Sequence, residues 1–312
     1  MKVFRDVGGS YVAGPCVATV GFFDGVHRGH RFLIEQMTGE AKRTGIQSTI
    51  VTFDRHPATV VRRDSVPKML CTFEEKLRLL ASTGVDNCVV LPFDDAVSSL
   101  SAEAFMRTVL RDRYGVRTLV AGYDNRFGKG RREGFEDYVR YGREMGMSVL
   151  LAKPLPVSGR NISSSAIREA LAAGDVETAA QGIGRPYSIE GTVVGGERIG
   201  RHIGFPTANI SPQEDIMLPA GGAYAVRVRV ADGGTTLPGM MNIGCRPTFG
   251  GKKETLEVHI LRFSGDIYGR EVKVFFERYL RPERRFDSAE TLAAQLRKDA
   301  AAAESALRAK DM

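Results

Sequence analysis

Val17-Ala18-Thr19-Val20-Gly21-Phe22-Phe23-Asp24-Gly25-Val26-His27-Arg28-Gly29-His30 decides how the first half of this chain is built. The apolar run 17–21 reads as a strand. After His30 the pattern turns helical, with Phe32, Leu33, Gln36, Met37 and Ala41 on one side and Gly45 as a stop. A strand that feeds a loop and then a helix is the opening of a βα unit. Apolar runs at 48–53, 87–92, 118–122 and 148–152 repeat the strand signal between helical stretches, so residues 1–184 are expected to form an α/β domain around a parallel sheet. Such sheets bind ligands at the carboxyl ends of their strands, which puts Gly21 to His30 at the expected active edge.

Near Gly182-Ile183-Gly184-Arg185-Pro186 the pattern changes. Segments 187–194, 223–230, 255–261 and 272–279 alternate with period two between Gly and Pro turns, which predicts an antiparallel β-barrel over 185–312. Asp287-Ser288-Ala289-Glu290 resembles a capping box, and Leu292, Leu296 and an alanine-rich run to Ala309 make the last segment a helix. Two domains suit 312 residues with 43% hydrophobic content.

Composition removes several functions. No stretch approaches the ~20 apolar residues of a membrane span, and no long apolar run follows the first basic residues, so a cytoplasmic enzyme without membrane attachment is expected. Cys16, Cys71, Cys88 and Cys245 are scattered and the histidines do not cluster, so neither disulfides nor a zinc site is encoded. The net charge of +7 is dispersed, without a basic arm or interleaved aromatics, which argues against nucleic acid and is compatible with small phosphate-bearing ligands. No obligate protein partner is implied.

His27 and His30 stand three apart where a loop enters a helix, among glycines that let backbone approach a ligand closely. Attack on the α-phosphate of ATP builds negative charge that paired imidazole donors and helix N–H groups can stabilise. If the nucleophile is another phosphate, no general base is needed. By itself His-x-x-His leaves metal ligands or ordinary loop histidines open. Ser163-Ser164-Ser165, with Arg168 one turn on, offers hydroxyls and N–H groups to phosphate at a helix start, although plain N-capping accounts for it as well. In the second half, Thr207 and Asn209 are hard oxygen donors two apart in Gly204-Phe205-Pro206-Thr207-Ala208-Asn209, able to contact Mg²⁺ and phosphate from one side of an extended segment, or simply to form a turn. No Walker A lysine motif or protein-kinase signature is present.

The string from Gly21 to His30, with Thr52-Phe53-Asp54-Arg55-His56-Pro57, Gly122-Tyr123-Asp124-Asn125-Arg126-Phe127-Gly128 and Ile162-Ser163-Ser164-Ser165-Ala166-Ile167-Arg168, resembles the N-terminal domain of the bacterial bifunctional riboflavin kinase/FAD synthetase family. Arg185-Pro186, Gly204 to Asn209, Asn242 to Phe249, Leu256-Glu257-Val258-His259-Ile260 and Tyr268-Gly269 resemble its riboflavin kinase domain, over roughly 183–300. The resemblance implies a Rossmann-like nucleotidylyltransferase domain that adenylylates FMN to FAD and a barrel that phosphorylates riboflavin to FMN, both with ATP and Mg²⁺. It implies nucleotide contacts from Gly21, Phe22, Asp24, Gly25, His27, His30, Asp124, Arg126, Ser163, Ser164, Ser165 and Arg168 in the first site, and from Gly200, Gly204, Thr207 and Asn209 in the second. Glu257 is its base for the ribityl hydroxyl, His259 shares the Glu257 face, and Arg281, Glu283 and Phe286 stand at its flavin side, where a charged linker is the other reading. The chain departs from the family at Asn125, where an aromatic residue is usual, at Glu133, where glycine is usual, and at Ser165, where threonine is common. Those departures leave two alternatives: a riboflavin kinase with weak or absent adenylyltransferase activity, and a flavin or nucleotide sensor without catalysis.

Overall fold

The computed structural model describes residues 1–5, 14–61, 66–123, 125–155, 162–196, 200, 204–213, 215–230, 234–248 and 251–311. Its contacts divide the chain into two compact units, 1–68 with 72–162 and 69–71 with 163–312.

The first unit is a six-stranded sheet of β1 (Lys2–Arg5), β2 (Cys16–Val20), β3 (Gln47–Phe53), β4 (Asn87–Leu91), β5 (Val116–Ala121) and β6 (Ser148–Leu151). The strands lie in the order β1-β4-β3-β2-β5-β6 and every pairing is parallel. Central strands covered on both faces read as unbroken apolar runs, and β2 and β4 are buried at every residue. Alternate residues feed two cores. Ala18, Val20, Val51 and Leu91 join one with Phe105, Met106 and Tyr138, whereas Val17, Ile50, Cys88 and Val90 join the other with Ile34, Met37 and Leu80. Five of these strands, β2 to β6, start and end within two residues of the sequence reading. β1 was not expected from sequence, because four residues at a sheet edge, exposed apart from half-buried Phe4, carry almost no periodic signal.

Helix α1 (Arg28–Thr44) follows β2 and stops at Gly45, whose φ of 70° lets its N–H reach the carbonyls of Ala41 and Lys42. Its buried line is Ile34, Met37 and Ala41, with Phe32 and Leu33 half-buried. Gln36 is not part of an apolar side: its amide pairs with the backbone of Lys153 through both oxygen and nitrogen. The remaining helices are α2 (Ala58–Val61), α3 (Phe73–Ala81), α4 (Asp95–Ser99), α5 (Ala102–Ala104), which continues into a π-helical stretch at Phe105–Arg113, and α6 (Phe135–Glu144).

The second unit begins with α7 (Ser164–Ala172) and α8 (Val176–Ile183) and continues into β7 (Tyr187–Val194), β8 (Ala208–Pro212), β9 (Gly222–Val230), β10 (Thr236–Thr248), β11 (Gly251–Ile260) and β12 (Glu271–Arg281). These six strands close an antiparallel barrel in the order β10-β11-β8-β7-β12-β9. The compact unit thus starts some twenty residues before the change in sequence pattern. Leu171 accepts a hydrogen bond from the Ala220 N–H, Glu177 pairs with Arg278 at 3.5 Å, and Gly174 packs against the Tyr279 ring, so both helices belong to the barrel's surface.

The last helix, α9 (Ala289–Asp311), is capped one residue later than the sequence suggested. Ser288 and Thr291 exchange hydrogen bonds, the Thr291 N–H reaching Ser288 Oγ and the Ser288 N–H reaching Thr291 Oγ1, both at 3.3 Å, in place of Asp287 and Glu290. Helix α9 lays Ala303, Ala306 and Leu307 on Ala225 and Met240. Polar ties reinforce the seat: Lys310 reaches Glu277 at 2.8 Å, and the half-buried Arg281 forks onto the buried Asp299 at 2.7–3.0 Å.

Candidate active sites

At the carboxyl edge of the sheet the chain makes a strained turn between β2 and α1. Phe23, Gly25 and Val26 all have positive φ, at 56°, 69° and 40°. For a β-branched residue such as Val26 that conformation is an outlier, of the kind that surrounding structure must impose. The turn delivers His27 as the N-cap of α1, its Nδ1 accepting from the His30 N–H at 3.3 Å. A neutral His27 therefore carries its proton on Nε2.

The two imidazoles stack with centres 3.6 Å apart and planes 19° apart, and the Phe23 ring stands edge-on to His30 at 5.2 Å. Burial, then the neighbouring His27, then Lys76 hold the His30 pKa well below the ordinary 6.5. His30 Nδ1 is buried with no hydrogen-bond partner among the described residues. The first turn of α1 contains no acidic residue, unlike most helix starts. A neutral donor pair at a helix N-terminus with basic flanks is built for an anion rather than for a cation.

Two elements fix this turn from below and beside. Phe22 O accepts from Thr52 Oγ1 at 3.2 Å and from Lys76 Nζ at 3.3 Å, and the Phe22 ring meets His56 edge-on at 4.8 Å. From the loop after β5, the Asn125 amide donates to Val20 O, the last carbonyl of β2. Asn125 thus ties its loop to the strand that leads to the histidines, a hydrogen bond a phenylalanine side chain could not make. Glu133 acts just as locally. Its Oε1 accepts from the Ala102 N–H at 3.5 Å while the Tyr138 hydroxyl donates to the Glu133 carbonyl at 3.2 Å, which latches the same loop to the start of α5. Gly21, Phe22, Asp24, Gly25, His27 and the exposed Arg126 lie in these two loops, and His30 lies in the first turn of α1. Asp124 lies outside the described residues. Ser163, Ser164, Ser165 and Arg168 open α7 in the second unit, where Ser163 Oγ caps the helix by accepting from the Ala166 N–H at 3.2 Å.

In the barrel, strand register assembles the second site. Glu257 on β11 pairs with Asn242 on β10 and with Asn209 on β8, and Asn242 pairs with Ala223 on β9. Directly paired residues share a face, so Ala223, Asn242, Glu257 and Asn209 form one row across four strands. All four line a cavity of about 240 Å³ together with Gly200, Thr207, His259, Arg281, Glu283, Phe286 and, from α9, Leu292, Leu296 and Asp299. His259 Nδ1 lies 2.7 Å from Pro206 O and fixes the approach to Thr207.

Glycines make that approach possible. A Cβ at Gly196 would lie 2.0 Å from Asn209 Nδ2, and one at Gly200 would lie 2.2 Å from Phe205 O. Gly204, at φ 82°, faces open space. Elsewhere on the cavity wall Arg281 is held by Asp299 with its guanidinium 5.8 Å from the Phe286 ring centre, and a Cβ at Gly244 would meet Glu283 Oε1 at 2.8 Å. A second cavity of about 600 Å³, lined by Val193, Pro206, Thr207, Ala208, Val258, Phe263 and Tyr268 among others, shares Thr207 with the first. Thr207 therefore stands between the two spaces.

A family model for FAD synthetase matches residues 11–166 and one for riboflavin kinase matches 183–307. The bifunctional riboflavin kinase/FMN adenylyltransferase of Escherichia coli strain K12 is 39% identical over 91% of this chain and 90% of its own. That of Listeria monocytogenes is 40% identical over the same shares. The chain belongs to the bifunctional riboflavin kinase/FMN adenylyltransferase family. A crystal structure described as a macrolide-efflux protein from Streptococcus pneumoniae superposes with a TM-score of 0.86 at 29% identity, covering 96% of this chain and 97% of that one.

As a member of that family the chain phosphorylates riboflavin to FMN and adenylylates FMN to FAD, with ATP as cosubstrate of both steps. Among the described residues no helix is long and apolar enough to cross a membrane, and no group of three His, Cys, Asp or Glu side chains is placed to hold a metal ion. The sequence had marked the histidine pair, the Pro-Thr-Ala-Asn run and Glu257. It had not singled out Lys76 or Asp299, and it had quoted Asn242 only within the string 242–249. Lys76 carried a signal, since it sits three residues after Phe73 and four before Leu80 on the apolar stripe of α3.

Proposed function

We propose that the two steps use two separate sets of residues, adenylyl transfer within residues 1–184 and phosphoryl transfer within 185–312. In the first, His27 and His30 donate hydrogen bonds to the α-phosphate of ATP as charge builds on it, with the N–H groups opening α1 and the backbone of Gly21, Phe22, Asp24 and Gly25 around the polyphosphate. Arg126 and Asp124 complete the nucleotide contacts. The FMN phosphate is ionised and attacks unaided, pyrophosphate leaves, and no proton has to be moved. The intact histidine pair, with its buried unpartnered Nδ1, supports this over a kinase lacking the second activity.

In the barrel, Glu257 accepts the proton of the ribityl hydroxyl as the oxygen attacks the γ-phosphate. The observation that carries this reading is the row of Asn242, Glu257 and Asn209 in one cavity, with Thr207 shared between that cavity and its neighbour. Flavin occupies the space walled by Arg281, Glu283 and Phe286, and the nucleotide occupies the space beyond Pro206–Thr207, with its phosphates at Gly200, Gly204, Thr207 and Asn209. The Thr207 hydroxyl and the Asn209 amide are hard oxygen donors that fit Mg²⁺ alongside phosphate oxygens, and such an ion would supply charge neutralisation at the transferring group. Cytoplasmic action without nucleic acid or protein partners completes the reading.

Flavins separated after incubation with riboflavin, ATP and Mg²⁺ test it. His30→Ala is expected to accumulate FMN, with FAD formation reduced by about 10²–10³ as for loss of one oxyanion donor. Glu257→Ala is expected to lower riboflavin phosphorylation by about 10²–10⁴ yet still convert supplied FMN. Either folded variant losing both activities would sink the two-set assignment.

A further inference from the structure

Lys76 has been given no chemical part, yet it is only 3% exposed beneath the first site. Its Nζ lies 2.9 Å from Phe53 O, 3.3 Å from Phe22 O and 3.5 Å from Thr52 Oγ1. The same ammonium stands 4.1 Å from the Phe22 ring centre and 5.1 Å from that of Phe73. Phe53 ends β3 and Phe22 follows β2, so one cation gathers oxygens from the carboxyl ends of two neighbouring strands. Burying an ammonium is costly, and ring faces with converging carbonyls are the surroundings that make it tolerable. The turn it grips holds Phe23 and Val26 in left-handed conformations that must be imposed from outside.

We propose that Lys76 is a positioning residue for adenylyl transfer: it clamps the turn that presents His27 and His30, and it places a fixed positive charge under the bound polyphosphate. The inference rests on that turn being the adenylyl-transfer site. Burial first, then His27 at the start of its own helix and Lys76 on α3, hold the His30 pKa down, and Asp24 in the turn and Glu75 beside Lys76 are buried as well. Lys76 therefore adds to burial and to His27 in holding His30 neutral, the form in which one ring N–H remains to donate to phosphate.

Full-length Lys76→Met, Lys76→Gln and Lys76→Arg distinguish the clamp and charge from bulk packing. Each is assayed for FMN adenylylation and riboflavin phosphorylation, and the His30 imidazole is titrated by NMR. The neutral variants are expected to lower kcat for FAD formation about tenfold or more, as loss of a preorganised charge does, and to move the His30 titration upward. Phosphorylation should stay within about twofold, since the barrel has its own residues. Arginine keeps the charge but not the point geometry, so it should leave His30 low and lower kcat less. Wild-type kcat in Lys76→Met overturns the proposal, as does lost adenylylation with the His30 titration unmoved. If both neutral variants fail to fold, Lys76→Arg decides, and a His30 that titrates in the ordinary range in that variant overturns the proposal. His30→Ala measured in parallel separates the two readings: FAD formation surviving that change refutes the site itself, whereas its loss beside an unimpaired Lys76→Met refutes only the lysine.

Discussion

Two imidazoles stacked 3.6 Å apart cannot both be charged cheaply, and the second of them is already held neutral by burial. The consequence for stability has a definite sign. Above pH 6.5 His30 is neutral in both the folded and the unfolded chain, and its contribution is complete. Below that value the unfolded chain takes up a proton that the folded one refuses, so stability is lost as pH falls toward the lowered folded pKa. Thermal unfolding of the protein is expected to drop on acidification below 6.5, and His30→Gln is expected to flatten that slope, read by scanning fluorimetry across a pH series. Cys88 behaves oppositely and inertly: burial pushes its thiol up to about 12, so it takes no part in chemistry near neutrality. At this scale the sequence was most legible where residue type and spacing themselves point to a site, as for His27 and His30, while Glu257 stood out only through the resemblance to the family. It was least legible for Lys76 and Asp299, whose roles come from partners 23 and 18 residues away.

Secondary elements carry a different share of the information. Strands β2 to β5 announced themselves because both faces are covered and their apolar runs are nearly unbroken. The barrel strand β8 did not, since Ala208–Pro212 is short, half-exposed and ends in proline. β10 was hidden by Gly239, Gly244 and two prolines within thirteen residues, which read as turns although the strand runs through them. Helix α9 was legible as a helix but not as a wall of the cavity, because only the register of Leu292, Leu296 and Asp299 puts it there. Its central tie is the largely buried pair of Arg281 and Asp299, and removing one partner of such a pair typically costs about 3–5 kcal/mol. Asp299→Asn is therefore expected to lower the melting temperature of the barrel and to raise KM for riboflavin, with FMN adenylylation unchanged, as measured by calorimetry and separate assays of the two steps.

For the molecule as a whole, the change from alternating α/β to all-β pattern is a property of sequence, while compactness is a property of contacts, and the two differ by the helices α7 and α8. Those helices read as a continuation of the first pattern, yet their apolar sides and the Glu177 to Arg278 ion pair are spent on the barrel. A fragment starting at Ser163 is accordingly expected to be more stable than one starting at Arg185, a difference visible in urea midpoints and in retained riboflavin phosphorylation. Equal midpoints would show that the helices only decorate the barrel. The departures at Asn125 and Glu133 belong here too, because each replaces a family-typical residue with one that ties the loop after β5 to β2 or α5. Loss of FAD formation does not follow from them.

The closeness of Gly196 to Asn209 and of Gly200 to Phe205 has a consequence for how this barrel would look in a saturation mutagenesis screen. With 2.2 Å left before the Phe205 carbonyl, alanine at Gly200 should score as badly as alanine at Asn209, and alanine at Gly196, 2.0 Å from Asn209 Nδ2, should push the Asn209 amide aside, although neither glycine has a side chain to offer to the reaction. Fitness alone would rank steric neighbours with chemical participants. The two classes separate only when variants are scored on binding and turnover independently: a crowded glycine should lose nucleotide affinity and rate together, while Glu257 should lose rate with affinity preserved.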